Sequence, residues 1–383
     1  MHQKILCSLL IAMTVLSHSL PTVDALDKNR ANKRAKVQLA ILLDTSGSME
    51  GLIHQARTQL WKIVNDFEFC RKDKKRPQLE VALYEYGKSS LPVTEQYLRQ
   101  IVPFTDDLDL LSEKLFELQT NGGEEYCGAV IQDATHNLEW STRSQDLKLI
   151  FIAGNEPFTQ GPVDFRSSCR LAVARGITVN TIHCGSEEEG RRGLWAEGAR
   201  IGEGTFLNIN HDDIRPTPST PYDKRLIELS GKLNSTYVPY GAKEKQRRFL
   251  QRQQAQDANA AEAAPAVGAG RAATKGSSFY RNSDFDLLDA LEEGKLELKS
   301  LMENELPEEL TKLAPDKREA YLAEKKKTRE AIRLEIKKLN RKRTEHLKKL
   351  SKEEESNAQF DDAVLKAVRT QAKAQHFEYT IAE

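Results

Sequence analysis

Asp44, Ser46 and Ser48 stand at alternate positions of one short segment, Asp44-Thr-Ser-Gly-Ser-Met49. A carboxylate and two hydroxyls are hard oxygen donors, which suit Mg²⁺, Mn²⁺ or Ca²⁺ and not a soft metal. Gly47 permits the sharp turn that aims them together. Ser48 is equally a good helix cap, so capping competes with ion binding as the reason for these residues. No Gly-x-Ser-x-Gly elbow, Walker loop, His-Glu-x-x-His or Cys-x-x-Cys occurs in the chain. An enzymatic reading therefore rests on Cys127 with His183 as thiol and base, or on metal-assisted hydrolysis by an acidic cluster. His183, at a strand end, reads first as a structural residue.

The flanking elements must position the loop. Residues 37–43 form a continuous apolar run, as in a strand buried on both faces. Ile53, Ala56, Leu60, Ile63, Val64 and Phe67 then fall at helical spacing. The loop thus sits at the carboxyl end of a strand, where open α/β sheets bind ligands. Further strands are expected at 79–86, 97–104, 147–153, 177–183 and 205–209, the second at an edge because of Pro103. Helices are expected at 108–118, 126–138 and 163–174. The alternation predicts a doubly wound, mostly parallel sheet flanked by helices.

This strand-loop-helix resembles the first motif of von Willebrand factor type A domains, whose Asp-x-Ser-x-Ser belongs to a metal-ion-dependent adhesion site. The likeness runs over residues 36–214. The resemblance implies two further ligand loops. One usually supplies a threonine, but here reads Gly122-Gly-Glu-Glu-Tyr126. The other usually reads Thr-Asp-Gly, but here is Ala153-Gly-Asn155, with Gly154 at the aspartate position. Glu124 is the expected replacement in the first, Asn155 or Glu156 in the second. Asn121-Gly-Gly-Glu-Glu-Tyr-Cys127 and Phe151-Ile-Ala-Gly-Asn-Glu-Pro-Phe158 also resemble a group of exported bacterial members with long charged tails. Cys127 follows one ligand loop and Cys184 ends a neighbouring strand, which makes them the disulfide candidates. His211, Asp212 and Asp213 are expected at the same edge of the sheet.

Residues 1–25 read as a secretory signal: Lys4 precedes a short apolar run, and Val23 and Ala25 fit a cleavage site. Export to the periplasm or the exterior is the expectation, with no transmembrane span after cleavage. The 57 basic and 57 acidic side chains cancel, giving no general reason to bind nucleic acid. Residues 215–250 are expected as a helical extension and 251–283, rich in Ala, Gln and Gly, as a linker. Residues 284–383 read as a charged helical tail. From 316 to 355 it carries 15 Lys or Arg against 9 Asp or Glu. Leu322, Ile332, Ile336 and Leu339 fall on a heptad seam that Lys325, Arg329 and Arg343 interrupt, so a coiled coil competes with a solvated helix. With few contacts expected across the linker, residues 26–242 should fold alone. The resemblance implies an adhesion or binding module, taking a protein partner's acidic side chain at a Mg²⁺, Mn²⁺ or Ca²⁺ site. The tail would space or oligomerise it. The alternative is an envelope-associated structural protein that acts through the tail.

Overall fold

The computed structural model describes residues 34–49, 61–209, 218–353 and 359–380. The candidate secretory segment and His211, Asp212 and Asp213 lie outside them. Strands β1 (Lys36–Asp44), β2 (Cys70–Arg71), β3 (Gln78–Tyr86), β4 (Leu98–Thr105), β5 (Leu147–Gly154), β6 (Thr178–Cys184), β7 (Glu203–Ile209) and β8 (Glu378–Tyr379) are present. The first part of the chain also holds α1 (Leu108–Glu117), α2 (Cys127–Asn137), α3 (Phe165–Ala174), α4 (Glu187–Arg192) and α5 (Trp195–Ile201). The later part holds α6 (Asp223–Asn234), α7 (Lys243–Ala263), α8 (Pro265–Lys275), α9 (Leu287–Glu292), α10 (Glu308–Thr311), α11 (Pro315–Glu353) and α12 (Gln359–Ala374). Residues 61–67 are helical as well.

Six strands form one sheet in the order β4-β3-β1-β5-β6-β7, with β4 antiparallel to β3 and the other neighbours parallel. From β1 the chain runs outward to β3 and β4, then crosses back to β5. The carboxyl end of β1 is therefore the point where strand order reverses, and the crevice there is the ligand position of such sheets. Asp44 is the last residue of β1, opposite Tyr86 on β3.

Side chains alternate between two apolar layers, as the pleat requires. Ala40, Leu42, Tyr84, Ile150 and Ile152 pack against α2, α3 and α5 through Val130, Ile131, Phe165 and Trp195. Leu39, Leu43, Val81, Leu149 and Phe151 face the other way. That second layer is closed by Val64 and Phe67, by Leu111 and Leu115 of α1, and by helices from the later part of the chain. These helices supply Leu226, Phe249, Val267, Ile336 and Val368, and the segment after α12 adds Phe377. The chain end is held too: β8 pairs with β2, and Gln371 donates to Asn180 on β6 at 2.6 Å.

The expected linker at 251–283 is instead the rest of α7, all of α8 and the turn beyond. Its alanines are small because the helices approach closely: Ala260, Ala269 and Ala272 are fully buried in the second layer. The described residues from Ala35 onward accordingly fall in one compact unit. The heptad seam of α11 faces inward. Leu322 and Ile336 are buried, and Arg329, which would break a coiled coil, is itself buried. It bonds Asp286 at 2.7 Å, Asp289 at 3.2 Å and the Thr236 carbonyl at 2.7 Å. Arg343 reaches Asp223 at 2.8 Å. The charges on the seam tie the helix to its own chain.

Candidate functional site

The loop after β1 is fixed by main-chain bonds to both neighbouring loops. Thr45 N donates to Tyr86 O at 2.8 Å, Gly47 N to Gly122 O at 2.9 Å, and Asn121 N to Thr45 O at 3.1 Å. Asp44 lies fully buried at the base and accepts from Ser46 N at 2.7 Å. The Ser46 and Ser48 hydroxyls are 3.2 Å apart, Ser46 buried and Ser48 exposed. The three motif residues thus form a column from the sheet to solvent.

The acid that joins Asp44 is Glu125, not the expected Glu124. Glu125 is buried and its carboxyl hydrogen-bonds Asp44. Glu156 N donates to Glu125 Oε2 at 3.3 Å, and Glu125 N donates to Gln160 Oε1 at 2.6 Å. Glu124 is exposed; its carboxylate takes the Tyr126 hydroxyl at 3.4 Å. Its backbone bridges Gly87, leaving the side chain on the outside of the loop. Two adjacent acids in an extended segment point opposite ways, so one faces the site and the other solvent. The doubled Glu in the sequence was the only signal of this choice.

Asn155, expected to offer an oxygen, lies beside the two acids with its amide nitrogen toward them. With its amide nitrogen turned inward it donates to Glu125 Oε2, Asp44 Oδ2 and Ser48 Oγ, each at 3.3 Å, while its oxygen accepts from Ser48 at 3.2 Å. Glu156 lies half-buried beside the pair and adds negative charge to both acids. Its carbonyl accepts from Trp195 Nε1 at 2.8 Å, which holds the loop down. His183 is buried between Asn208 Oδ1 at 3.1 Å and the Asn155 carbonyl at 3.3 Å, a structural brace for the same loop.

Two glycines are required by close approach. A β-carbon at Gly87, whose φ is +83°, would lie 2.6 Å from Asp44 Oδ1 and 2.9 Å from Glu125 Cγ. One at Gly154 would lie 2.5 Å from Tyr86 Oη and 3.2 Å from Asp44 Oδ2. Tyr86, donating to Ala153 O at 3.0 Å, fills the space an aspartate at 154 would need. The charge missing from that loop reappears at Glu125.

Burial, and then the neighbouring Asp44, push the Glu125 carboxyl up to about 9. Burial likewise raises Asp44. Two carboxyls this close cannot both ionise cheaply, so they share a proton at neutral pH. Among the described residues no three His, Cys, Asp or Glu side chains converge as a metal-holding group. The donor set here is of another kind: two carboxyls and two hydroxyls, all hard oxygens suited to Mg²⁺, Mn²⁺ or Ca²⁺. It fits such an ion.

The expected Cys127–Cys184 disulfide does not form. None of the four described cysteines is in a disulfide, and all are buried. Cys127 sits in the first apolar layer and Cys184 in the second, on opposite faces of the sheet. Cys127 and His183 also keep different partners: the thiol contacts Tyr86 Oη at 3.7 Å, and burial pushes it up well above its ordinary value.

Residues 38–198 match the family model of the von Willebrand factor type A domain. A search of the curated proteins finds no match. Several solved structures are similar. One is the conserved hypothetical protein BatB from Bacteroides thetaiotaomicron, at 16% identity over 45% of this chain and 90% of that one, with TM-score 0.35. Another is a von Willebrand factor type A protein from Catenulispora acidiphila, at 15% identity over 46% and 39%, with TM-score 0.33. A third is proximal thread matrix protein 1 from the mussel byssus with a zinc-occupied MIDAS motif, at 12% identity over 47% and 43%, with TM-score 0.34.

Proposed function

Because residues 38–198 are a von Willebrand factor type A domain, we propose that this chain is a binding module whose protein partner docks over Ser46, Ser48 and Asn155. One observation carries the reading. Two buried, hydrogen-bonded carboxyls lie at the switch point of the sheet, and hydroxyl and amide groups lead from them to solvent. Asp44, Ser46, Ser48 and Glu125 are the residues that would hold Mg²⁺, Mn²⁺ or Ca²⁺. When bound, such an ion supplies the positive charge that draws a partner's Asp or Glu. The chain's own part is preorganisation: Ser46 N–H orients Asp44, Glu156 N–H orients Glu125, and Asn155 spans both. Releasing the shared proton readies the pair for a cation, so affinity should rise with pH.

The reading is non-catalytic, supported by the buried, protonated thiol of Cys127 and its separation from the ring partners of His183. Export is part of the proposal and rests on the composition of residues 1–25. Among the described residues no helix is long and apolar enough to cross a membrane.

Calorimetric titration of the chain with Mn²⁺, Mg²⁺ and Ca²⁺ tests the ion. We expect saturable binding at one site, abolished by Asp44→Ala. Absence of heat and of any thermal shift at millimolar ion would overturn the ion-dependent reading. If the ion binds but an immobilised acidic peptide library yields no capture that chelation reverses, partner recognition through the ion fails instead.

A further inference from the structure

Helix α11 runs 39 residues with one side buried and the other in solvent. Along its outer side the charge is unevenly arranged. In the first four turns the exposed acids Asp316, Glu319, Glu324 and Glu330 offset the exposed lysines. After Leu334 the balance changes. Lys337, Lys338, Arg341, Lys342, Lys348 and Lys349 are all exposed, and Glu345 is the one exposed acid among them. Glu345 pairs with Arg341 at 3.3 Å, and Lys337 reaches Glu68 at 3.4 Å. Lys338, Lys342 and Lys349 have no ion pair among the described residues. The sequence turns acidic again at Glu353-Glu-Glu355, so the basic run is bounded at both ends.

Helix-dipole stabilisation accounts for cations only within the last turn, and Lys337 to Lys342 lie three to four turns before the helix ends. The chain as a whole is neutral, so the ridge is a local accumulation and not part of a general basic excess. It is also rigidly presented. Ile336 is fully buried beneath it, and Arg343 is fixed to Asp223.

From this ridge we propose a second interaction surface: α11 docks on a lipid surface of anionic phospholipid headgroups. The shape favours a plane of phosphates over a nucleic acid. α11 lies against α6 and α8 and leaves only its outer side to solvent, whereas a helix that reads DNA must enter a groove about 12 Å wide. Leu334, 55% exposed, lies one turn before Lys338 and two before Arg341 on that outer side. An apolar side chain among cations suits the headgroup boundary, and clusters of four to eight Lys or Arg on a helix bind anionic lipid. The proposal is independent of the ion site.

The test is sedimentation of the full chain with vesicles of phosphatidylglycerol and phosphatidylcholine, against pure phosphatidylcholine, in EDTA. The expected result is binding to the anionic vesicles alone, lost at about 0.5 M salt as screening shortens. Lys338→Glu/Lys342→Glu/Lys349→Glu should lower partitioning at least ~10-fold. Lys74→Glu/Lys232→Glu/Lys299→Glu makes the same charge change at exposed positions off α11 and should alter it less than ~2-fold. If the ridge variant fails to fold by its thermal transition, the corresponding Lys→Gln triple gives the same reading. The proposal is overturned by equal binding to neutral vesicles, by equal loss in both triples, or by loss in EDTA, which would move the contact to the ion site. Binding to a DNA duplex with none to vesicles would overturn it in favour of a nucleic-acid surface.

Discussion

At Glu125 two effects oppose one another. Burial penalises its charge, while the proposed cation would need both it and Asp44 ionised. Glu125→Gln should therefore weaken Mn²⁺ binding by about 10-fold or more, since ligand charge sets affinity at hard-ion sites. Glu124→Gln, altering an exposed side chain, should leave it within about 2-fold. Paired titrations check this, and equal effects would mean that Glu125 is not a ligand. Gly154 gives a second prediction. Gly154→Asp restores the residue type of related loops but meets the Tyr86 hydroxyl. Overpacking of this kind costs about 1–3 kcal/mol, seen as a lower thermal midpoint with no gain in ion affinity. Adding Tyr86→Phe should recover part of the loss. If Gly154→Asp alone tightens the ion, the steric account is wrong.

Among the elements, α8 and α11 are held by buried charges. Arg271 on α8 reaches Asp109 on α1 at 2.8 Å and Asp257 on α7 at 2.6 Å, and Lys275 reaches Asp257 at 2.8 Å. Burial pushes Asp257 up, but Arg271 and then Lys275 outweigh it and hold it at about 2. Its folded value is thus below the unfolded value of about 3.9. The stability it contributes is present above pH ~4 and is lost as pH falls through about 2. Asp257→Asn should flatten the acid limb of a stability–pH curve across that window; an unchanged slope would show that the pair does not drive it. On α11, Arg329→Ala leaves Asp286 buried without its cation and Asp289 with only Arg281 at 3.5 Å, and about 3–5 kcal/mol is the expected cost. Urea denaturation measures it. A loss below 1 kcal/mol would mean that the helix is held by Leu322 and Ile336 alone.

For the whole molecule, the second face of the sheet is closed from the far end of the chain. A chain ending at Ala242 would strip Phe249, Val267, Ala269, Ile336, Val368 and Phe377 from the second apolar layer, leaving the buried apolar residues they pack against, Leu226 and Leu229 of α6 among them, without that cover. Such a truncation should be insoluble or lack a cooperative thermal transition, because exposed apolar area of this extent drives association. A soluble, cooperatively unfolding fragment 26–242 would show that the helices are an accessory. The same argument explains why α11 presents a rigid ridge: its inner side belongs to the core.

Strand-length apolar runs, helical spacing and the Asp-x-Ser-x-Ser loop are local patterns, and the periods of 2 and 3.6 residues state which way each side chain must face. They were enough to predict a mostly parallel sheet flanked by helices and to put Asp44, Ser46 and Ser48 in the loop after its first strand, while the strand order and its switch point came with the tertiary pairing. Other features depend on which distant segments meet. Glu124 and Glu125 differ in role only because Gly87 pairs with one backbone and Asp44 with the other's carboxyl. Cys127 and Cys184 stand on opposite sheet faces, which proximity along an edge could not reveal. The Ala-rich segment at 251–283 has the composition of a linker and the burial of a core, because small side chains serve flexible chain and close-packed helices alike. Arg329 and Arg343 break a heptad in sequence yet fasten α11 in space, since a buried cation is tolerated only where Asp286, Asp289 and Asp223 come to meet it.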